Sequence, residues 1–246
     1  MKNILVRKWL TTSLTIGLCL AKTAISSKAE FIEPTESVKK QHFISLLKRP
    51  DKEMQNVRGE SMRDIYVAKI SELDSSVLDP ETLNLFSDLI DNDENVWVRL
   101  EAVADIANFP MSEDMVPKVT GLLEKYRNDE RVNFQVFASQ SLLRIGHKHG
   151  KLNMQAEKTL AKIAQGQDLE KWKVMIPTHN VGTMIMDPGS KSQIPFEDFY
   201  KVNMRVKALL ALTLSKDDFS KKVISDLAKD SNTWVRETAQ SYSAAH

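Results

Sequence analysis

The sequence contains very little cysteine, glycine and proline. Of its 246 residues, one is cysteine, eight are glycine and eight are proline. The single cysteine, Cys19, lies near the N-terminus, so the rest of the chain has no thiol for a disulfide, a nucleophile or a cysteine metal site. Sparse glycine, with prolines at the starts and breaks of apolar segments, is typical of a helical chain. We therefore expect an all-helical protein that is stabilised by an ordinary hydrophobic core.

The N-terminal segment lacks the length and apolarity of a membrane span, which takes roughly 20 apolar residues. Its apolar run, residues 9–21, is short and rich in threonine. The run follows the basic residues Lys2, Arg7 and Lys8 and precedes a small–x–small pattern that ends at Ala29. This layout predicts a signal peptide over residues 1–29 and a periplasmic or secreted protein with no stable membrane insertion after cleavage. The alternative is an uncleaved N-terminal anchor.

The predicted mature chain has no excess of basic charge. The whole sequence has 34 basic and 33 acidic residues. Residues 1–29 hold five of the basic residues and none of the acidic ones, which leaves 29 basic and 33 acidic residues and a net charge near −4. Nonspecific nucleic-acid binding depends on a basic surface. We therefore expect no nucleic-acid partner.

Helical periodicity continues through almost the whole chain after Glu33, and strand-like alternation is scarce. Asp79-Pro80-Glu81 is a strong helix start, with a capping residue followed by proline in the first turn. Three to four turns per helix, joined by short loops, are typical of stacked antiparallel pairs. The predicted helices are residues 35–48, 61–73, a helix that begins at Pro80, 96–107, 113–126, 131–147, 153–164, 169–175, 202–214, 218–228 and 232–244.

Several helix starts share a sequence pattern. Residues 93–102 (DENVWVRLEA) and 230–239 (DSNTWVRETA) have Asp, Asn, Trp, Val, Arg and Ala at the same offsets. Residues 129–138 (DERVNFQVFA) keep the Asp and the Ala but have Gln where the Arg stood, and residues 202–208 (VNMRVKA) keep the Arg and the Ala. Arg99 of the first copy and Gln135 of the second copy are 36 residues apart. Periods of this length indicate stacked helical repeats.

On these residues the chain resembles the HEAT-repeat family, including the short repeats named after phycobilisome lyases. In that family the second helix of a repeat opens with Asp, then Val-Arg, then Ala three residues after the Arg. The match covers about residues 80–246, with a gap near 166–195. The resemblance implies an all-α, HEAT-like right-handed α-solenoid of stacked antiparallel helix pairs. Residues 79–246 would form this array, and residues 30–78 would precede it as irregular helices.

The resemblance also implies a structural role for the charged residues of the pattern. An Asp at a helix start can accept hydrogen bonds from free backbone N–H groups, where negative charge is favoured. In the family, the Arg reaches toward an Asp of a neighbouring repeat and forms a ladder across the stack. The residues predicted to form this ladder are Asp93, Arg99, Arg205, Asp230 and Arg236.

Two pairs of residues have both a structural and a functional interpretation. Trp97 and Trp234 could bind a ligand at the edge of the repeats, although packing between repeats is favoured. His147 and His149 suggest a metal pair, but residues two apart on a helix face different sides, and no third ligand lies at a useful spacing. We interpret these histidines as solvated residues of a helix end and expect no metal site.

Motifs for catalysis are scarce. The sequence has no Gly-x-Ser-x-Gly elbow and no glycine-rich phosphate loop. Adjacent carboxylates such as Asp217 and Asp218 point to different sides of a helix, and Asp217 is better explained as a cap. We therefore expect no catalytic residues and no cofactor.

Residues 177–195 depart from the helical pattern. Glycine, proline and asparagine surround a short apolar stretch, and a loop of this length in a compact array is uncommon and often functional. One hypothesis is a partner-binding insertion, which could form a small hairpin, with His179, Asn180, Met184 and Met186 as contacts. The other hypothesis is a loop that folds back and covers the core.

These features together predict an exported, non-catalytic scaffold or adaptor that docks a protein or peptide partner on a helical-repeat surface. Two alternatives are an enzyme accessory factor of the lyase-like kind and a periplasmic inhibitor or immunity protein that neutralises a toxin. The predicted export signal disfavours the lyase-like alternative, and the inhibitor would also act by binding a protein.

Overall fold

The computed structural model describes residues 33–56, 61–177, 184–186 and 193–243. Within these residues the chain is all-α, with ten α-helices and one two-stranded sheet. None of the helices described there has the length and apolarity to cross a membrane. The predicted signal peptide, residues 1–29, lies outside the described residues. The helices are α1 (Glu36–Leu47), α2 (Arg63–Ser71), α3 (Pro80–Asn92), α4 (Val96–Asp105), α5 (Met115–Arg127), α6 (Val132–Lys148), α7 (Met154–Ala164), α8 (Phe196–Leu212), α9 (Asp218–Leu227) and α10 (Thr233–Ser243).

Polar side chains cap the helix starts, as the sequence predicts. In α1 the Val38 N–H donates to the Thr35 hydroxyl at 3.4 Å, and in α3 the Thr82 N–H donates to the Asp79 carboxylate at 2.9 Å. Pro80 lies in the first turn of α3, where a backbone N–H has no acceptor within the helix, so the missing N–H of proline costs no hydrogen bond. The predicted starts of these two helices are confirmed.

The predicted start of α8 is wrong by six residues. The helix begins at Phe196 rather than at Val202. Pro195 precedes it in an extended conformation, and the first turn carries Glu197 and Asp198, whose negative charges are favoured at a helix N-terminus. The apolar periodicity that suggested the later start is found only in the buried part of the helix.

The predicted helix at residues 169–175 is mostly absent. A single turn of 3₁₀ helix covers Leu169–Lys171, and the chain then becomes extended. The Val132 N–H at the start of α6 donates to the Lys173 carbonyl oxygen at 3.0 Å, and Lys173 forms a parallel bridge with Arg131. This segment therefore satisfies the free backbone donor of a neighbouring helix, which a helical conformation would not allow.

The helices pack in two alternating sets. Each odd-numbered helix packs against the even-numbered helix that follows it, and the even-numbered helices pack against one another in chain order, from α2 through α4, α6 and α8 to α10. Their apolar faces form one buried cluster. Each helix pair therefore depends on its neighbours to bury its apolar surface. Fully or almost fully buried members of the cluster include Val67, Ile70, Phe86, Val98, Val103, Phe134, Leu142, Leu209 and Val235.

Two arginine–aspartate ion pairs connect successive even-numbered helices. Arg63, at the start of α2, donates from Nη1 to Asp93 Oδ1 at 3.1 Å, immediately before α4. Arg205 in α8 pairs with Asp230, just before α10, and its Nε also donates to the Ala164 carbonyl oxygen at 2.9 Å. Both pairs are largely shielded from solvent, so the Asp93 and Asp230 carboxylates depend on their arginines for compensation. Arg63 also donates to Asp51 at 3.1 Å.

The other two arginines of the predicted ladder bond to neutral oxygens. Arg99 in α4 donates to the Tyr126 hydroxyl at 2.9 Å. The carboxylate that it would have reached, Asp129, is instead held by Arg131, with two nitrogen–oxygen distances of 2.7 Å. Arg236 in α10 donates to the backbone carbonyl oxygen of Asp230 at 2.8 Å, while the Asp230 carboxylate pairs with Arg205.

A short hairpin precedes α8. Strands β1 (Met184–Met186) and β2 (Gln193–Pro195) pair antiparallel, with Ile185 opposite Ile194. Both isoleucines are half-buried, and α8 contacts both strands. The prediction that residues 177–195 could form a small hairpin is confirmed for these six residues.

Replacing Arg63 by methionine should lower the free energy of unfolding by about 3 to 5 kcal/mol, because Asp93 would stay buried without a counter-charge. Urea unfolding followed by circular dichroism measures the change. As a control, Lys69→Met removes the exposed Lys69–Glu72 pair and should change stability by less than about 1 kcal/mol. Equal effects of the two substitutions would show that the Arg63–Asp93 pair does not hold α2 and α4 together.

Candidate functional site

The contact residues predicted in the 177–195 segment are incompletely described. His179 and Asn180 lie outside the described residues. Met184 and Met186 are the end residues of β1, two positions apart on the strand. Their proposed role in partner binding therefore stays a prediction.

The two tryptophans of the repeat pattern are partly buried against the core. Trp97 follows the Asn95 cap of α4 and packs on the hydrophobic cluster. Trp234, at the equivalent place in α10, stacks on Phe199 of α8 with ring centroids 5.8 Å apart. This stacking joins α10 to α8, as the interpretation of packing between repeats expects.

The two histidines at the end of α6 do not point to a common ligand. His147 is exposed, whereas His149 Nδ1 lies 3.3 Å from a carboxylate oxygen of Glu113. Among the described residues, no group of three or more histidine, cysteine, aspartate or glutamate side chains could hold a metal ion.

A set of charged side chains that the sequence pattern did not predict lies on the even-numbered helices. Asp64 is on α2, Glu101 and Asp105 are on α4, and Lys207 is on α8; we call these four residues the charged row. All four are half-buried, and the charges of the other three all act on the Glu101 carboxyl. The charged row therefore spans helices that belong to three different pairs.

Burial raises the pKa values of the three carboxyls of the charged row. Burial, together with the charges of Asp105 and Asp64, raises the pKa of Glu101 to about 7. Burial also raises the pKa of Asp105 to about 6, although the Ser71 hydroxyl donates to its carboxylate at 2.7 Å. The pKa of Asp64 is raised by burial as well. These carboxyls consequently carry charge at a free-energy cost to the folded protein.

Lys207 brings a positive charge to the same surface. Its ammonium group lies 4.8 Å from the centre of the Phe137 ring on α6, which is a cation–π contact. Burial lowers the pKa of Lys207, and the charge of Glu101 opposes that effect. Neither Lys207 nor Glu101 forms a hydrogen bond or ion pair with any residue in the described part of the chain.

The sequence indicates where the charged row lies, although hydrophobic periodicity alone does not identify its residues. Trp97, Glu101 and Asp105 are each four residues apart, so they share one face of α4. Lys207 lies two residues after Arg205 and so leaves the buried face that the arginine occupies. Alternating charge on a helix face usually indicates contact with solvent, and only the packing of α4 between α2 and α6 makes these groups half-buried.

Chemically, the charged row can recognise a cationic group and hold an anionic or aromatic one beside it. The three carboxyls are acceptors for a lysine or arginine side chain, and charge-assisted hydrogen bonds to them would be stronger than neutral ones. The charged row extends over α2, α4 and α8.

Replacing Glu101 by glutamine should raise the free energy of unfolding by about 2 kcal/mol at pH 8, because a buried charge is removed. The folded-state pKa is raised, so the contribution of Glu101 is fully present below its unfolded pKa of 4.5 and is lost as the pH rises through about 7. The stability difference should therefore disappear at low pH. Chemical unfolding between pH 4 and pH 9 checks this.

The exposed Glu237 on α10 provides the control for this series. Glu237→Gln removes the same charge at an exposed position and should change the stability by less than about 0.5 kcal/mol. A flat difference between E101Q and the wild type across the whole pH range would contradict the assignment of a titrating, half-buried carboxyl to Glu101.

Comparison with known proteins gives no relative from which a role could be transferred. No family model, no curated protein and no solved structure matches this chain. The resemblance to HEAT repeats therefore depends on the repeat residues themselves. The candidate site depends on the geometry of α2, α4, α6 and α8.

Proposed function

We propose that this protein is an exported, non-catalytic scaffold or adaptor that docks a protein partner on the surface of its even-numbered helices. The observation that carries the proposal is the charged row, in which half-buried carboxyls on α2 and α4 and a lysine on α8 lie close enough for their charges to act on the Glu101 carboxyl. Such charges are costly to the folded protein unless a binding partner compensates them. The partner would present basic side chains to Asp64, Glu101 and Asp105.

The proposed architecture for this role is a HEAT-like right-handed α-solenoid. Its support is the serial packing of the even-numbered helices and the Arg63–Asp93 and Arg205–Asp230 pairs that link successive helix pairs. We propose that α1 and α2 form its first pair. A stack of this kind presents one continuous face of its second helices, which suits an extended peptide or a protein surface.

The proposed location outside the cytosol depends on the predicted signal peptide at residues 1–29. The partner is accordingly sought among proteins of the cell envelope or the medium. We further propose that the hairpin before α8 borders the binding surface, since α8 carries Lys207 and contacts both strands.

Affinity capture with cross-linking tests the proposal. Tagged protein beginning at Glu30 is incubated with envelope extract of the source cells, and cross-linked peptides are identified by mass spectrometry. We expect one protein to be enriched, with cross-links to α4 and α8. The double substitution Glu101→Lys and Asp105→Lys should weaken its binding at least tenfold, about 1.4 kcal/mol, because both carboxylates would become repulsive. Raising the salt concentration should also weaken the complex.

The matched control is Asp88→Lys, which changes the same charge on the exposed surface of the odd-numbered helix α3. It should retain the partner fully. A variant that lacks residues 178–194 separates the hairpin from the helical surface, since loss of binding in this variant alone would place the site on the hairpin. If the wild type and the double variant bind equally, the charged row is not the site, and if no protein is captured, the scaffold proposal fails.

A further inference from the structure

Three large apolar side chains are exposed at the starts of α7 and α9; we call them the apolar group. Leu152, Met154 and Phe219 are 55%, 62% and 45% exposed, and only three other large apolar side chains in the described part of the chain are exposed. Leu152 precedes α7, Met154 is its first residue, and Phe219 lies in the first turn of α9. Apolar side chains scattered singly over a surface are ordinary, whereas a group of them marks an interaction site.

Arg205 joins the C-terminal ends of α7 and α9. Its Nε donates to the carbonyl oxygen of Ala164, the last residue of α7, at 2.9 Å. Its guanidinium also pairs with Asp230, which follows the end of α9. Because α7 and α9 contact each other as well, their C-terminal ends lie together.

The N-terminal ends of α7 and α9 also lie together. Ser215 and Asp217, which directly precede α9, act on the carboxyl of Glu157 in the first turns of α7. The two helices thus run side by side in the same direction. Their buried faces both belong to the hydrophobic cluster, so their exposed faces, with the apolar group at the starts, lie on one outer surface.

Lysines surround the apolar group. Four exposed lysines lie in the segments that precede α7 and α9 or in the first two turns of these helices: Lys151, Lys158, Lys216 and Lys221. None of the four forms an ion pair or a side-chain hydrogen bond with any residue that the structure describes. Their positive charges are therefore directed to solvent at this end of the two helices.

Few acidic groups oppose these lysines. Glu157 is buried, and Asp217 is engaged as the cap of α9, which leaves Asp218 as the exposed acid at this place. Toward α5 the charge changes sign, because the exposed Glu113 lies 3.3 Å from His149 Nδ1. The basic surface is thus confined to α7 and α9, on a chain whose predicted mature form is acidic overall.

An anionic lipid surface fits this combination of side chains. At such a surface, apolar side chains enter the boundary between headgroups and acyl chains, and lysines contact the anionic headgroups. Interfaces between proteins are instead enriched in aromatic residues and arginine and depleted in lysine. The exposed surface at the starts of α7 and α9 has four lysines, one aromatic residue and no arginine. Its composition therefore favours lipid over an acidic protein.

We propose that the N-terminal ends of α7 and α9 dock the protein on an anionic lipid surface. The apolar group enters the headgroup layer, and the four lysines bind the headgroups. This surface belongs to odd-numbered helices, whereas the charged row lies on α2, α4 and α8. Different residues therefore bind the lipid and the proposed protein partner, and a negative result for one surface does not decide the other.

Vesicle sedimentation measures the lipid binding. The chain from Glu30 is used, because it lacks the apolar run of residues 9–21 that would itself associate with lipid. We expect it to sediment with vesicles of phosphatidylglycerol and phosphatidylcholine in equal parts and to stay in solution with vesicles of phosphatidylcholine alone. Raising the salt concentration should weaken the binding, because salt screens the attraction between lysines and headgroups.

Two double variants separate the two kinds of contact. Lys158→Glu with Lys221→Glu reverses two charges, and Met154→Ser with Phe219→Ser removes two apolar contacts. Each double variant should lower the partition coefficient on the anionic vesicles by about tenfold or more. All four residues are exposed, so circular dichroism should show unchanged helix content in both variants.

The matched controls change exposed residues in and next to α1, in the first helix pair. Lys48→Glu with Lys52→Glu reverses two charges there, and Val38→Ser removes an apolar side chain that is 57% exposed. Both controls should bind the anionic vesicles as the wild type does. Equal weakening by the controls and by the two double variants would overturn the proposal, because binding would then depend on overall charge or apolarity.

The orientation on the vesicle can be measured directly, because the chain from Glu30 has no cysteine of its own. A polarity-sensitive fluorophore on Met154→Cys should shift its emission to shorter wavelength on the anionic vesicles. The same fluorophore on Ile65→Cys, which is exposed on α2, should not shift. A shift at position 65 alone would overturn the proposal. Binding to soluble polyglutamate without binding to vesicles would also overturn it, because the surface would then recognise an acidic polypeptide.

Discussion

Packing between successive even-numbered helices is the interaction on which the rest of this structure depends. Outside the N-terminal segment there is no cysteine, so no disulfide can hold the helices. Short helices such as α4 and α10 are marginal by themselves, since most helical stability in proteins comes from burying an apolar face. The contacts from α2 to α10 in chain order supply that burial. A helix pair separated from its neighbours would expose apolar residues such as Val98 or Val235.

Charge is used in two opposite ways within this framework. Arg63 with Asp93, and Arg205 with Asp230, compensate each other at the junctions between pairs and fix the register of one helix against the next. On the adjoining surface, Glu101 and Lys207 are close enough to influence each other but do not pair directly. The stability that these junctions supply offsets the cost of the charged row, and we propose that a binding partner compensates its charges. In many proteins, the functional site itself costs stability, and the rest of the fold supplies it.

The carboxyls of the charged row make the fold sensitive to pH near neutrality. Packing removes Glu101 and Asp105 from water, which raises the pKa of Glu101 to about 7 and that of Asp105 to about 6. Both residues belong to the surface proposed for binding, so we expect a change of pH in this range to alter the charge of that surface.

The sequence by itself determined the helical class, most helix starts and the repeated Asp and Arg positions, because capping and periodicity are local properties. It also contained Arg63, which lies 36 residues before Arg99, although this copy carries no other mark of the pattern. Only the tertiary structure decided which side chains pair with one another. Arg99 bonds to Tyr126 because Arg131 occupies Asp129, and Glu101 is costly because α4 is packed between α2 and α6. Burial and competition between neighbours depend on residues far apart in the chain, and no local pattern specifies them.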